Sequence, residues 1–402
     1  MSFDGYQTVA LSCLVLLFGY FLVKRIPFLN QYNIPEPVAG GFIVALILTV
    51  VHYIWGISFQ FDATLQRTMM LVFFSSIGLS ANFARLIQGG KPLVIFLFAA
   101  FGLILLQNAL GVSSAMLFGL DPAYGLIAGS MTLTGGHGTG AAWADTLMRN
   151  FHIQGGLELA MACATFGLVA GGVIGGPVAS YLLKRLHRHK VKEDDNVDDV
   201  KEIFEKPELR RKVNTRSVIE TVAMLSVCLW VGQSLEKFTH DTAFQLPTFV
   251  WCLFTGVLIR NFLTHAMKFK AAESTIDLLG SVGLSLFLAV ALMSLKLWQL
   301  TNLALPIFAI LALQVILMAA YAIFITYRAM GSDYDAVVLS AGHCGFGLGA
   351  TPTAVANMQA ITDHYGPSHK AFLIVPMVGA FFIDLLNTVA LKIFLAIVTF
   401  LH

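Results

Sequence analysis

Tyr124-Gly125-Leu126-Ile127-Ala128-Gly129-Ser130-Met131-Thr132-Leu133-Thr134-Gly135-Gly136-His137-Gly138-Thr139-Gly140-Ala141 is an apolar run that gives way to glycine, serine and threonine. A second stretch of the same make opens at Tyr334 and ends in Gly342-His343-Cys344-Gly345-Phe346-Gly347-Leu348-Gly349-Ala350. Each starts with about ten apolar residues, whereas a spanning helix needs about 20. Each is also too apolar for a solvated loop. A re-entrant hairpin, entering the membrane and leaving on the same side, explains both features. The hairpins are expected at about 122–150 and about 334–360.

The rest of the chain supplies the membrane that such hairpins need. Of 402 residues, 57% are apolar and only 12% charged, and the mean hydropathy is +0.77. A soluble domain carries about a quarter charged residues. This composition excludes a disordered chain, a secreted disulfide scaffold and a cytosolic enzyme. The net charge of +2 gives no reason to expect a nucleic-acid partner. The five cysteines form no CxxC pair or metal-ligand cluster; Cys13, Cys163, Cys228 and Cys252 are expected as small buried thiols and Cys344 as a packing residue. The first apolar run lacks a basic leader and ends in Lys24-Arg25, so it reads as a retained span and not a signal peptide.

Ten spans are expected, at 7–23, 38–58, 69–84, 92–117, 156–183, 217–234, 245–263, 273–295, 304–327 and 371–398. With the N-terminus outside and neither hairpin crossing, twenty Lys and Arg fall inside and five outside: Arg67, Arg149, Lys237, Lys296 and Lys392. If the hairpins crossed, the basic cluster in 184–216 would lie on the side opposite Lys24-Arg25, and the bias would contradict itself. That segment, with eleven basic and eight acidic residues, reads as a solvated, partly helical cytoplasmic linker. It joins an N-terminal repeat, 1–183, to a C-terminal repeat, 217–402. Each repeat holds five spans and one hairpin. An odd number of crossings makes the second repeat enter from the opposite side, so the fold class is an all-α polytopic membrane protein of two inverted repeats. Many secondary transporters share that plan, with substrate held where the repeats meet.

Glycine inside an apolar stretch costs about 1 kcal/mol of helix propensity. Gly135, Gly136, Gly138 and Gly140 therefore predict unwound chain, tolerated at depth only against protein or a water-filled cavity. Free N–H groups and the start of the next half-helix favour an anion. Carbonyls and the hydroxyls of Ser130, Thr132, Thr134, Thr139, Ser340, Thr351 and Thr353 suit a hard cation such as sodium. Gly167, Gly171, Gly172, Gly175 and Gly176 instead read as close helix packing. His137 and His343 hold matching places in the two hairpins, as proton carriers, substrate ligands or hydrogen-bonded anchors. Among intramembrane carboxylates, Asp384 lies mid-span with Asn387 on the same helix face, and is the strongest candidate for a sodium ion or a substrate ammonium. Glu158 is intermediate, and Glu220, Glu273 and Asp277 read as structural. Gln107, Asn108 and Gln314 read as interhelical hydrogen bonders.

Five stretches carry a family resemblance. Ile34-Pro35-Glu36-Pro37-Val38-Ala39-Gly40-Gly41, Gly135 to Trp143, Met161 to Gly167, Gly342 to Asn357 and Pro376 to Asp384 resemble the bacterial sodium/glutamate symporters almost end to end. The resemblance implies a homodimeric inner-membrane carrier driving L-glutamate uptake with sodium and no other cofactor. It further implies two re-entrant loops and an elevator-like movement of a transport core, while the charge bias puts both termini on the periplasmic side. Substrate candidates are then Gly135, Gly136, His137, Gly138, Thr139, Gly140, His343, Gly345, Gly347, Gly349, Thr351, Thr353 and Asp384. Sodium candidates are Ser130, Thr132, Thr134, Ser340, Asn357, Asp384 and Asn387.

Three other readings compete. A sodium-coupled carrier of another di- or tricarboxylate brings no ammonium to balance Asp384. An ion channel commonly puts one pore on an oligomer axis, not two opposed hairpins in one chain. An intramembrane protease would need paired aspartates or a reactive serine, and no GxSxG or HExxH sequence occurs.

Overall fold

A computed structural model of the chain describes residues 2–32, 34–81, 83–151, 153–186, 213–239, 242, 246–266, 271–295 and 304–401. The central part of the expected linker, 187–212, lies outside the described residues, as do Lys268, Lys270 and Lys296 from the charge census.

All of the named elements are helices. The first half runs through α1 (Gly5–Arg25), the short α2 (Pro27–Gln31), α3 (Glu36–Trp55), α4 (Ala63–Ser80) and α5 (Phe83–Leu117). It continues through α6 (Pro122–Leu126), a π-helical turn at Ile127–Met131, α7 (Gly136–Phe151) and α8 (Gly156–Leu186). The second half begins with α9 (Thr215–Thr239), α10 (Thr248–Ala266), α11 (Glu273–Met293) and α12 (Ala304–Tyr321). A π turn at Ala322–Thr326 leads to the single turn α13 (Tyr327–Ala329), then α14 (Tyr334–Leu348), α15 (Thr351–Tyr365) and α16 (His369–Met377). A third π turn, Val378–Phe382, joins α16 to α17 (Ile383–Leu401).

Nine of the ten expected spans fall on a single helical run, whereas 371–398 crosses α16, the π turn at Val378–Phe382 and α17; among the described residues eight helices are long and apolar enough to cross a membrane, the last of them Ile383–Phe400. The other two fall short for different reasons. The apolar part of α10, Thr248–Thr264, is shorter. Helix α4 begins at Ala63, six residues before the expected 69, and its first turns hold Thr64, Gln66, Arg67 and Thr68. The early start has a local cause. Asp62 accepts hydrogen bonds from the N–H of Thr64 at 2.6 Å and of Leu65 at 3.1 Å, and so caps the helix ahead of its apolar part. Polar composition had hidden that turn.

The helices sort into two bundles. In the first, α4 packs on α10 and α11, α1 on α3, α9 on α10 and α11 on α3. In the second, α14 packs on α8 and α15, α5 on α6 and α12, and α7 on α8. The stronger contacts between bundles run from α11 to α7 and from α4 to the π turn before α17. Outward faces are apolar: Leu14, Leu17 and Phe21 on α1, and Ile47, Val50 and Ile54 on α3, are all exposed. Water would penalise such faces, whereas lipid accepts them. Cys13 lies on one of these faces and is exposed, contrary to expectation, while Cys163, Cys228, Cys252 and Cys344 are buried.

The glycine-rich stretches are pairs of helical arms with a break between, but the breaks are shorter than expected. In the first, helical geometry fails at Gly129 (φ −102°, ψ −144°), a turn covers 132–135, and Gly136 (φ 67°) starts α7. Gly138 and Gly140 are helical, not unwound. In the second, α14 stays helical through Gly342, Gly345 and Gly347, and only Gly349 and Ala350 are broken. Packing offsets the propensity cost. A Cβ on Gly138 would lie 2.8 Å from the Phe73 ring, and one on Gly140 2.9 Å from Thr132 Cγ2. A Cβ on Gly345 would strike the Ala354 backbone. On α8, Gly167 is pressed against the Leu348 carbonyl and Gly175 against Asn357, as expected for close packing. Gly176 corrects that expectation, because nothing lies within 4 Å of its missing Cβ.

Candidate functional site

The two breaks meet each other. A Cβ on Gly136 would lie 3.6 Å from the Gly349 carbonyl oxygen, and the Thr134 hydroxyl is 3.1 Å from the Gly347 carbonyl. Gln107, fully buried on α5, joins the two sides: its Nε2 donates to Gly347 O at 2.8 Å, and its Oε1 accepts from Thr134 at 2.6 Å. Gln314 Nε2 donates to the Gln107 carbonyl at 2.8 Å and fixes that stretch of α5 against α12.

The third π turn sets α17 against the first break. Asn387 donates from Nδ2 to the Ser130 carbonyl at 3.0 Å, and its Oδ1 lies 2.6 Å from the Ser130 hydroxyl. That hydroxyl is also 2.9 Å from Asn108 Oδ1, and the Ser130 N–H donates to the same oxygen at 3.2 Å. One hydroxyl proton cannot serve both amide oxygens fully, so Ser130, Asn108 and Asn387 form a cluster rich in oxygen. One turn earlier on α17, Asp384 accepts from Thr139 Oγ1 at 3.4 Å. The π turn itself fits under the start of α15, where a Cβ on Gly379 would lie 2.8 Å from Thr351 Oγ1. Of the expected residues, the junction therefore gathers Ser130, Thr134, Gly135, Gly136, Thr139, Gly347, Gly349, Thr351, Asp384 and Asn387.

The helix ends add a field. Both second arms, α7 and α15, begin at their breaks, so two helix N-termini face the junction and offer partial positive charge. Both first arms end there and offer carbonyls. The N–H groups of Gly135 and Gly136, expected to be free for an anion, are instead bonded to Ser130 O and Thr132 O, each at 2.9 Å. The anion-facing groups are thus the first turns of α7 and α15.

Other expected residues point elsewhere. Thr132 bonds Ile127 O within its own arm, and Ser340 bonds Ala336 O within α14. Asn357 donates to Gly171 O at 2.9 Å and Ala341 O at 3.2 Å, clamping α15 to α8 and α14. The histidines do not hold matching places: His137 is the second residue after its break, whereas His343 lies inside α14, six residues before its own. His137 Nε2 is 3.0 Å from Thr165 Oγ1, whose own proton goes to Met161 O at 2.8 Å, so Nε2 is the donor. His343 Nδ1 pairs with Thr326 at 2.9 Å in a box formed by Phe346, Phe96 and Tyr321. Thr353 is buried and its hydroxyl has no partner. Among the carboxylates expected to be structural, Glu220 pairs with Arg216 at 2.9 Å and Glu273 with Arg260 at 2.5 Å.

Gln107 and Asn108 are the site residues that sequence reasoning set aside as ordinary hydrogen bonders. Their signal was adjacency: two buried amides in the middle of an apolar 28-residue span. Clefts along the seam between the bundles do not coincide with the junction. Two, of about 440 and 760 Å³, share Arg67, Met70, Asp145 and Arg149 and include none of the expected binding residues.

Comparison with known proteins places the sequence in one family along nearly its whole length. The sequence pattern of the family described as Sodium/glutamate symporter matches residues 1–367. A sodium/glutamate symporter of Haemophilus influenzae is 66% identical over 400 residues, covering 100% of this chain and 99% of that protein. One from Escherichia coli is 52% identical over 397 residues, covering 99% and 98% respectively, and one from Shigella flexneri matches to the same extent.

Proposed function

The chain belongs to the sodium/glutamate symporter family, and on that footing we propose that it carries L-glutamate into the cell with sodium as the coupling ion, by alternating access at the junction of the two breaks. It is a transporter and not an enzyme, and sodium is its only inorganic requirement. The observation that carries the site assignment is the bridge through Gln107, which ties Thr134 of the first hairpin to Gly347 of the second.

In this reading the substrate carboxylates lie at the N-termini of α7 and α15, near Thr139, Thr351 and the unpaired hydroxyl of Thr353. Sodium takes the oxygens of Ser130, Asn108 and Asn387, which match a hard cation. Asp384 balances the substrate ammonium or a second cation. His137 and His343 orient α8 and α12 against their hairpins and hold no substrate atom.

The wider architecture follows the same reading. The repeats 1–183 and 217–402 are inverted, joined by the linker 184–216, with ten spans and hairpins re-entering from opposite faces. The separation into two bundles supports an elevator-like slide, the second bundle carrying the junction past the first. The charge bias of the sequence supports periplasmic termini and a cytoplasmic linker in the bacterial inner membrane, and a homodimer is the assembled form.

Purified protein in sodium-free liposomes tests this directly. Labelled L-glutamate should accumulate above equilibrium under an inward sodium gradient and not with potassium in its place. Asp384→Asn should lower that uptake by about a hundredfold with the protein still folded. Accumulation of malate in preference to glutamate, or entry indifferent to sodium, would overturn the assignment.

A further inference from the structure

Three of the five cations expected outside, Arg67, Arg149 and Lys392, line one place. It is the cleft of about 440 Å³ where α4 and the start of α10, from the first bundle, face α7 and α17 of the second. The adjoining cleft of about 760 Å³ continues it between α4, α11, α7 and α8. Outward cations are sparse in this chain, and their concentration at one seam is not required by the fold.

The lining of this cleft carries three cations against two acids, Asp145 and Glu236, and each arginine is paired with an acid on its own wall. Arg67 pairs within the first bundle, with Glu236 at 3.5 Å and with Thr248 at 3.0 Å. Arg149 pairs within α7, with Asp145 at 2.9 Å. Both guanidinium groups are well exposed, at 47% and 59%. Exposed pairs of this kind are worth about 0–1 kcal/mol, so an arriving carboxylate displaces the acidic partner at low cost. Where the walls touch, Trp143 stacks edge-on against Phe249, and its indole N–H carries no hydrogen bond.

Two helices lead from this cleft to the junction. On α17, Lys392 lies eight residues beyond Asp384, and on α7, Arg149 lies ten beyond Thr139. At 1.5 Å per residue these are drops of about 12 and about 15 Å. The cleft is therefore separate from the junction and aligned with it.

We propose that this cleft is an outer capture site, at which Arg67, Arg149 and Lys392 take a carboxylate of the incoming dicarboxylic amino acid before it descends to the junction. The proposal rests on the transport reading and orientation given above. Charge in a walled cleft raises the local concentration of an opposite charge and the rate of encounter, and salt weakens both. The three residues are positioning groups, with no part in coupling.

The test is sodium-driven L-glutamate uptake at fixed sodium, with and without added choline chloride, for wild type, Arg149→Gln and Arg67→Gln. Each variant should raise KM about threefold to tenfold, leave kcat within about twofold, and flatten the salt dependence. Arg149→Gln removes only a pair within one helix, so it reads the site even if Arg67→Gln, which links α4 to α9 and α10, folds poorly. An unchanged KM in Arg149→Gln, or a fall in kcat alone, would overturn the proposal. A second readout does not depend on glutamate. Thr146, which lines the cleft, is changed to Cys with the exposed Cys13 changed to Ala. An anionic methanethiosulfonate should modify this thiol faster than a cationic one, relative to free cysteine, and Arg149→Gln should abolish the excess. Equal rates would count against the capture site. Wild type that fails to take up glutamate would sink the transport reading, and the labelling preference would still decide the cleft.

Discussion

The first hairpin holds six glycines in 122–150 and the second four in 334–360, and the two put them to different uses. In the first, helical geometry fails at Gly129 and again at 132–135, and the opened stretch presents the Ser130 and Thr134 hydroxyls to α5 and α17. In the second, glycines at 342, 345 and 347 stay helical and let α14 lie close to α15, to Met318 and to Met358. Its break is confined to Gly349 and Ala350, and what it turns toward α5 is the Gly347 carbonyl. Toward α5, one hairpin brings a hydroxyl donor and the other a carbonyl acceptor. Gln107, with an amide that does both, is placed between them. Glycine density thus marks where backbones come close. Whether the chain also unwinds depends on what stands opposite.

Changes to the glycines and to the bridge separate these roles. The largest effect is expected at Gly345→Ala, whose methyl would strike the backbone of Ala354 and force α14 from α15. Overpacking there should cost about 3 kcal/mol or more and remove most folded protein from the membrane, as read by size-exclusion profile and thermal melt. Gly138→Ala meets only side-chain atoms, the edge of the Phe73 ring and Leu284 Cδ1, and should stay folded, so equal losses in both variants would break the comparison. Gln107→Leu comes next. It leaves the Thr134 hydroxyl and Gly347 O with only each other, at 3.1 Å, and should destabilise by about 1 kcal/mol. Uptake should fall more than stability does if the bridge belongs to the site. Gly176→Ala is the smallest: nothing opposes the new methyl, so stability read from the melt should hold or rise by up to about 1 kcal/mol. Its neighbour Gly175, pressed against Asn357, should not tolerate the same change.

Much of this was legible from sequence because lipid imposes simple rules. Helix positions follow from apolar length, and the two interrupted helices showed as apolar runs that give way to glycine. Asp384 and Asn387 stood out because a carboxylate inside an apolar stretch needs a reason, although Asp384 lies in the first turn of α17, just after the π turn, and not in mid-span. What stayed hidden depends on contacts distant in sequence. Gly138 and Gly140 read as unwound because propensity is local, while their helix is held by Phe73, Thr132 and Ala160. Asn108 and Gln107 looked ordinary because their partners lie on two hairpins 22 to 240 residues away. The π turn at Val378–Phe382, ahead of Asp384, left no readable trace beyond Pro376 and Gly379.

The central claim is that the oxygens around Ser130 hold the coupling ion while the arm N-termini hold the substrate. Equilibrium binding of labelled L-glutamate, titrated against sodium in wild type and Ser130→Ala, tests it most directly. The account predicts that Ser130→Ala shifts half-saturation by sodium upward about tenfold, while glutamate affinity at saturating sodium stays close to wild type. An unchanged sodium dependence, with glutamate affinity reduced at every sodium concentration, would contradict it.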